Sequence, residues 1–337
     1  NRPPPPCTLH HPTPMPTIRS SMKTDTLHNM DGCYENAVPD GARRIAWDGV
    51  SFCVPTNWEL AVYKGLRRGG TRVELEDEYS IRLESEWIRA NKRLKLKRIM
   101  KRYEAASKPL TLKSDEQNDV ADLPPGWHAT HFVFKETGAD ASGDGLDVLQ
   151  HDLVTAFYAA PDDSIFGFFL LHFMPEDTET PEAMIQQLAA TFQDHAAQPT
   201  VPYQLFDIAF RVPRELVLER TQFDIGVKLM VFTWKLRRYF LWHFSCADVF
   251  LKGTTPAEWV CGYLNGARLL KGPVFQPEGH DGITWRRRKP FIFGHREEIA
   301  TLCYKYNVGC RLIEAENKLV VWAYHYRKDE DLKLIPK

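Results

Sequence analysis

The sequence lacks any hydrophobic run of about 18 residues, the length that a helix needs to cross a bilayer. The longest apolar segment, residues 165–174, is interrupted by Gly167 and His172. The 7 cysteines include no C-x-x-C pair, and Cys53 and Cys303 lie in apolar segments. These absences predict a soluble protein of a reducing compartment, the cytoplasm, with neither a transmembrane segment nor a disulfide framework.

An excess of one charge sign is also missing. The chain has 43 Lys and Arg against 44 Asp and Glu, a formal net charge of -1, so no overall field favours nucleic acid or a membrane. A charged partner must therefore meet a local cluster. Signature motifs of hydrolases, zinc proteases and phosphate loops are absent as well, and residues 65–70 read as a basic hairpin turn. The sequence thus predicts no catalytic residue, cofactor or metal.

What the chain does have is enough apolar residues for two cores. Hydrophobic residues make up 43% of its 337 residues and aromatic residues 12%. Residues 1–40 are rich in proline at their start, and we predict a disordered N-terminal lead there. We predict a first domain over 41–197, a proline-containing linker over 198–203, and a second domain over 204–337.

An internal repeat relates the two patterned halves. Phe52-Cys53-Val54-Pro55 opens the first, and Phe210-Arg211-Val212-Pro213 opens the second. Each string is followed by two strand-like runs, a helix-like segment and three further strand-like runs. The helix-like segments are residues 92–106 and 255–270, and the strand pairs are 71–75 with 226–234, 81–87 with 239–245, 127–135 with 283–289, 152–158 with 298–304, and 166–173 with 319–326. A further helix over 180–195 ends the first half.

The repeat predicts an α+β fold of two tandem related domains. Consecutive strands without crossover helices indicate antiparallel pairing, so each domain is expected to be a mainly antiparallel twisted sheet flanked by helices. Two such domains packed side by side would leave a cleft between them. The alternative interpretation is that two β-rich domains share this pattern by chance.

The string Phe52-x-Val54-Pro55-x-x-Trp58 resembles the opening strand of the Mog1/PsbP-like superfamily. The second half keeps Phe210 and Pro213 but has Leu216 where the Trp would fall. The resemblance implies a twisted antiparallel sheet flanked by helices. It also implies a role that is mainly non-catalytic, in which members bind protein partners or assist assembly, but it transfers no functional residues.

The densest local charge lies in the first helix-like segment, which we call the basic helix. Its cations are Arg89, Lys92, Arg93, Lys95, Lys97, Arg98, Lys101 and Arg102. Apolar residues including Ile99 and Tyr103 occupy the opposite face. A merely solvated helix usually mixes charge signs, whereas no Glu or Asp interrupts this run. The pattern favours a partner-binding surface for an acidic protein, RNA or anionic lipid, with an ordinary solvated face as the alternative.

A second basic cluster is Arg286, Arg287 and Arg288. On a strand, Arg286 and Arg288 would share one face, and Trp285 and Arg287 the other. Trp285 and Phe291 could stack on bases, which makes nucleic acid a possible but less favoured partner. A charged edge strand is the plainer interpretation.

Other polar residues carry weaker hypotheses. His128 and His131 lie three apart, which on a strand separates them on opposite faces, and His172 and His325 occupy equivalent repeat positions. Cys303 with His295 or His325 would be a thiol–imidazole pair. The remaining hypotheses concern a solvated acidic strand face at Glu74, Glu76 and Glu78 and a flexible loop over residues 138–145. None of these has the spacing of a metal site or a catalytic motif.

We therefore predict a non-catalytic binding or assembly factor that engages a protein partner through the basic helix and the inter-domain cleft. An enzyme with its active site in that cleft and an RNA-associated protein are the alternatives.

Overall fold

Strands dominate the computed structural model of the chain. The residues that it describes are 34, 36–66, 70–90, 98, 101, 103, 105, 109–111, 113–139, 146–267, 270, 272–287 and 296–335. Most of the predicted N-terminal lead, residues 140–145 of the predicted loop over 138–145, and five cations of the basic helix lie outside them.

The first half is a series of strands with one complete helix. The strands are β1 (Ala42–Trp47), β2 (Val50–Pro55), β3 (Glu59–Leu66), β4 (Gly70–Glu76), β5 (Ile81–Arg89), β6 (Glu116–Asp119), β7 (Trp127–Ala139), β8 (Leu146–Ala159), β9 (Ile165–Phe173) and β10 (Gln193–Asp194). Residues 98, 101, 103, 105, 109–111 and 113 are helical. Helix α1 (Pro181–Thr191) begins at its predicted signal, because the Thr180 side chain accepts a hydrogen bond from the Ala183 amide.

The second half begins with β11 (Thr200–Leu205) and β12 (Ile208–Pro213). The elements that follow are β13 (Val217–Asp224), β14 (Val227–Trp234), β15 (Arg237–Ser245), α2 (Ala247–Phe250), α3 (Pro256–Gly266), β16 (Pro273–Glu278), β17 (Gly282–Arg287), α4 (Arg296–Thr301), β18 (Lys305–Ile313) and β19 (Lys318–Tyr326). Short 3-10 helices occupy Glu314–Glu316 and Asp329–Leu334. Among the described residues, every helix is too short or too polar to span a bilayer.

All strand pairs in the described residues are antiparallel, and the α+β class is confirmed. A seven-stranded sheet has the order β3-β4-β5-β9-β8-β7-β6, and a five-stranded sheet in the second half has the order β13-β14-β15-β19-β18. Strands β16 and β17 form a separate two-stranded sheet. Strands can be numbered from the start of their own half, at β1 and at β11. In that numbering both β3-β4-β5-β9-β8 of the larger sheet and the whole smaller sheet have the order third, fourth, fifth, ninth, eighth.

A third sheet joins the two halves. Its order is β10-β2-β1-β11-β12, so the opening hairpins of the halves meet at its centre, where β1 pairs with β11 through Ala46 and Gln204. We call it the central sheet. The four longer strands of the central sheet are therefore arranged symmetrically: the first strand of each half lies at the centre, and the second strand of each half lies outside it.

One face of the central sheet supplies an apolar core shared by both halves. Phe52 packs against Phe169 of the seven-stranded sheet, with ring centroids 6.0 Å apart. Tyr203 packs against Phe232 of the five-stranded sheet at 5.2 Å, and Trp47 contacts Tyr203 at 5.4 Å. These rings belong to one continuous buried cluster. Large aromatic side chains thus fill the contact between the halves, where the sequence predicted a cleft.

Three sequence predictions about individual segments were wrong. The helix predicted over 180–195 ends at Thr191, and Gln193–Asp194 form β10 instead. Residues 298–304 do not form the strand equivalent to β8, because α4 ends at Thr301 and Leu302 adopts a positive φ of 52° before β18 begins. A short apolar run does not by itself distinguish helix from strand. Four residues of the predicted linker, 200–203, belong to β11. Pro202 is tolerated there because β1 reaches β11 only near Gln204, so no ladder bond is lost beside the proline.

The turn between β11 and β12 is tied to the five-stranded sheet by Asp207. Lys228 Nζ lies 2.7 Å from Asp207 Oδ1, and Lys318 Nζ lies 3.1 Å from Asp207 Oδ2. Partial burial alone would raise the pKa of Asp207, but these two lysines outweigh it and hold the pKa at about 2. The ion pairs therefore fasten the central sheet to its neighbour.

We expect Asp207→Asn to lower the free energy of unfolding by no more than about 1 kcal/mol at pH 7, because the carboxyl is more than a third exposed. Because the pKa of Asp207 is lower in the folded state than in the unfolded state, its ionised carboxylate stabilises the fold at pH values above the unfolded-state pKa near 4. This stabilisation is lost as the pH falls towards the folded-state pKa of about 2. Urea unfolding between pH 7 and pH 2 should therefore show the two proteins converging below pH 4. A difference that stays constant down to pH 2 would contradict this account.

Candidate functional site

Arg89, the first cation predicted for partner binding, has a structural role. It ends β5, and its Nη1 lies 2.6 Å from Asp194 Oδ1 in β10. Its Nη2 also donates to the Gly49 carbonyl at 3.0 Å, in the turn between β1 and β2. Arg89 therefore links the seven-stranded sheet to the central sheet, and its charge is engaged within the protein.

Arg98 and Lys101 are helical and exposed. Neither forms an ion pair or a hydrogen bond with any residue that the structure describes. The other predicted cations of the basic helix, Lys92, Arg93, Lys95, Lys97 and Arg102, lie outside the described residues. The two cations that are placed in this helix thus remain available to a partner.

Tyr103 anchors the helical segment to the seven-stranded sheet. Its ring stacks on Phe168 with centroids 4.9 Å apart and contacts Phe166 at 5.3 Å. Its hydroxyl donates to Glu86 of β5. The side chain is only 8% exposed, as the predicted apolar face of the helix requires. Among the described residues, the ring contacts and the hydrogen bond of Tyr103 thus hold the segment to the sheet without using Arg98 or Lys101.

The sheet next to Tyr103 carries an acidic cluster centred on Arg72. The Arg72 guanidinium contacts Glu74 at 2.5 Å, Glu86 at 2.9 Å, and Glu84. His172 Nε2 lies 3.1 Å from Glu84, and this hydrogen bond together with Arg72 lowers the pKa of Glu84. Three carboxylates around one guanidinium leave net negative charge, which stabilises a cationic helix nearby. Glu74, predicted to lie on a solvated strand face, is largely buried in this cluster, whereas Glu76 and Glu78 are exposed.

In the described part of the second basic cluster, Arg287 is engaged within the protein and Arg286 forms no ion pair with a described residue. Arg287 lies over the Tyr304 ring at 5.2 Å, and its Nε is 4.0 Å from Glu298. Arg286, on the opposite face of β17, is exposed and makes no ion pair with a described residue. Trp285 packs edge-on against Tyr306 at 5.1 Å, so its ring serves the interior. Arg288 and Phe291 lie outside the described residues.

A recess opens in the second half, between α4 and strands β15, β18 and β19. Its empty volume is about 320 Å³, which includes the solvent at its mouth, and the enclosed part is about 10 Å³. That is room for roughly one water molecule. Its lining includes Arg238, Phe240, Leu270, Glu298, Tyr306 and His325. The recess lies within one half and is too small to enclose an organic substrate.

Several polar groups of the recess are engaged in hydrogen bonds within the second half. The Tyr306 hydroxyl donates to Glu298 at 3.0 Å, and the Tyr306 ring stacks on His325 at 4.8 Å. Burial raises the pKa of Tyr306 well above its usual range and lowers the pKa of His325. His325 Nε2 bonds to the Cys303 carbonyl. At neutral pH the phenol and the imidazole are therefore both uncharged and hydrogen-bonded.

The remaining candidate groups are also held within the protein. Burial raises the pKa of the Cys303 thiol, which donates to the Leu236 carbonyl at 3.5 Å and does not meet the His325 ring as a thiol–imidazole pair. His295 lies outside the described residues. His128 is exposed and His131 is buried, on opposite faces as predicted, and both ring nitrogens of His131 face carboxylates. No group of described side chains is arranged to hold a metal ion.

Sequence reasoning missed a buried polar cluster on the outer face of the central sheet. It includes Arg44, which is 3% exposed, and a pair in which Ser51 Oγ lies 2.8 Å from His195 Nε2. The sequence signal for this face was the alternation along β1, in which Arg44 and the small Ala46 alternate with the large apolar Ile45 and Trp47. Such alternation usually marks a solvated strand face.

No protein family model and no curated protein matches the chain. Among solved structures, a Bacteroides thetaiotaomicron VPI-5482 protein, determined by crystallography at 1.50 Å resolution, is similar over 50% of this chain and 55% of its own. The two share 8% sequence identity with a TM-score of 0.29, and the chain spans about half the length of that protein. A likeness of this size carries no argument about fold or function.

Proposed function

We propose that the chain is a non-catalytic binding or assembly factor built from two diverged copies of one domain. The matched strand orders of the two larger sheets support the duplication, as does the central sheet, where the opening hairpins of the halves meet. Buried Phe52 and Trp58 at the start of the first half fit the Mog1/PsbP-like resemblance. The described cysteines are all free thiols, which supports a cytoplasmic location.

The proposed partner is an acidic segment of another protein, and the proposed contact is the exposed surface of the basic helix. The observation that carries this proposal is that Arg98 and Lys101 are exposed and pair with no described residue, although the sheet beside them has net negative charge. A helix whose cations served only to hold it in place would direct them at that acidic cluster. Tyr103 performs the anchoring instead.

Arg286 is a second, independent point of contact for the same kind of partner. Because buried side chains pack between the halves, the proposed binding surface is the basic helix and Arg286 and not the predicted cleft. RNA is less favoured because Trp285, the described aromatic ring of that cluster, packs inward on Tyr306. An enzymatic role is less favoured because Tyr306, Glu298 and His325 of the recess are already hydrogen-bonded within the protein, and the enclosed space holds roughly one water.

We expect Arg98→Glu/Lys101→Glu to fold normally and to weaken binding of a labelled polyglutamate peptide at least about tenfold. Two charge reversals replace attraction by repulsion at a surface that packs against nothing described, and each exposed charge contributes modestly. Fluorescence anisotropy at 50 mM salt would measure the affinity, and circular dichroism would check the fold.

Lys252→Glu/Arg220→Glu is the matched control, with the same charge change at exposed positions of the second half. Equal weakening by both double variants would mean that overall charge, not the basic helix, governs binding. A polyuridine RNA of the same charge tests the alternative: tighter binding of RNA than of polyglutamate, with a steep dependence on salt, would favour a nucleic-acid partner. A double variant that unfolds would show that the cations are structural.

A further inference from the structure

The outer face of the central sheet, opposite the shared aromatic core, is polar and basic. Register places Arg44 opposite Cys53 and Ala46 opposite Ser51, and side chains alternate between faces along each strand. Ala46 is in turn paired with Gln204. Two residues from Gln204, Pro202 faces Arg211 of β12. Arg44 and Arg211 therefore lie on the same face of one sheet, but on opposite sides of the Ala46–Gln204 pair, because β1 and β11 are antiparallel. Tyr34, Thr191 and His195 help to cover this face.

Arg44 is a buried cation with no counter-charge among the described residues. Its Nη2 donates to the Asn36 carbonyl, and the guanidinium lies 4.1 Å from the centre of the Tyr34 ring. Its Nε and Nη1 are buried and have no hydrogen-bond partner, and no described carboxylate pairs with it. A buried guanidinium with unsatisfied N–H groups is strongly unfavourable unless an anion meets it.

The surroundings of Arg44 add positive charge. Arg211 is half-buried and its Nε also lacks a partner. Burial lowers the pKa of the nearby His195, and the charges of Arg44 and Arg211 contribute to that lowering. The carboxylate closest in sequence to His195, Asp194, is paired with Arg89 at 2.6 Å. Both arginines thus act on His195, and no described carboxylate forms an ion pair with either of them.

We propose that Arg44 forms a buried site for a small oxyanion, a phosphate or a carboxylate group, beneath Tyr34, and that Arg211 adds positive charge to its surroundings. The unpartnered Nε–H and Nη1–H groups of Arg44 would donate charge-assisted hydrogen bonds to the oxyanion oxygens. Arginine suits this role because its guanidinium stays charged when buried and presents several donors in a fixed geometry. The site is separate from the surface of the basic helix, and it does not depend on the proposed partner.

The test is thermal unfolding of the full chain at pH 7.5 in sodium phosphate against sodium chloride of equal ionic strength. A ligand that binds only the folded state raises the midpoint, and we expect phosphate to raise Tm by at least ~2 °C. Sodium acetate forms a third arm. A rise in acetate alone would assign the site to carboxylates, and a rise in phosphate alone to phosphates. No rise in either would overturn the proposal.

Arg44→Met tests whether the arginine itself carries the effect. In chloride, this variant should be at least as stable as the wild type, because it replaces an unpaired buried cation by an apolar side chain of similar length. Its response to phosphate or acetate should be lost. If Arg44→Met does not fold, Arg211→Met serves as the second variant and should lose at least half of the response. Arg220→Met, at an exposed position on β13, should keep the full response. An equal anion response in Arg44→Met and wild type would overturn the proposal.

Discussion

Trp47→Ala is expected to lower the free energy of unfolding by about 3–5 kcal/mol, the usual range for removing a large buried aromatic residue. Trp47 is 1% exposed. Its ring contacts Tyr63 at 4.6 Å in the first half, and Tyr203 at 5.4 Å and Phe223 at 6.2 Å in the second. The cavity would therefore open between the halves, and both should lose stability together in one transition.

Guanidinium unfolding followed by circular dichroism would give the size of this loss. Hydrogen exchange would show whether amides of β9 and β19 lose protection to the same extent. Trp259→Ala is the matched control, because Trp259 is only half-buried and its ring contacts, such as Tyr263, lie entirely in the second half. Two separate transitions in Trp47→Ala, or exchange that rises in β9 alone, would show that the halves fold independently.

Arg82→Met is expected to cost about 3–5 kcal/mol at pH 7, because it leaves two buried carboxylates without their cation. Arg82 is 8% exposed. Its Nε lies 2.5 Å from Asp77, and its two terminal nitrogens each contact Asp177 at 2.6 Å. Burial alone would raise the pKa of Asp77, but backbone hydrogen bonds from Ser80 and Tyr79, together with Arg82, lower it.

The loss should depend on pH with a defined sign. The depressed pKa of Asp77 stabilises the wild type above the unfolded-state value near 4, and this contribution disappears as the pH falls through the folded-state pKa. The difference between wild type and Arg82→Met should therefore be largest at neutral pH and shrink below about pH 4. Urea unfolding at pH 7 and pH 3 measures it.

Arg238→Met is the control for removing an arginine. Arg238 pairs with Glu219 at 3.6 Å on the surface, where such a pair contributes less than about 1 kcal/mol. A similar loss for Arg82→Met and Arg238→Met, or a loss for Arg82→Met that is unchanged at pH 3, would contradict the assigned role of the Arg82 ion pairs.

Many helices and strands of the fold can be predicted from local sequence signals. The Thr-Pro starts of α1 and α3 are visible because capping depends on a few neighbouring residues. Strands such as β9 and β19 are visible because their apolar runs are long. The meeting of β1 and β11 could not be predicted, since Ala46 and Gln204 carry no pattern that marks them as partners. Pairing between distant strands depends on the tertiary fold.

The candidate site was less accessible to sequence reasoning. The density of positive charge in the sequence identified Arg98, Lys101 and Arg286 as candidates. It did not distinguish them from Arg89 and Arg287, whose side chains contact other residues of the protein. The difference lies in partners that are distant in sequence, such as Asp194 for Arg89. Burial of Arg44 depends likewise on Tyr34 and His195, which come from segments on either side of the first half.

The meeting of the two opening hairpins has a consequence for stoichiometry. In a symmetric homodimer, every substitution changes both protomers, so each surface feature occurs twice. In the duplication proposed above, the two copies lie in one chain, so a substitution in one copy leaves the other copy unchanged. Arg98 and Lys101 occur in one copy, and the recess around Glu298 in the other. A single chain of this design presents a given surface contact once.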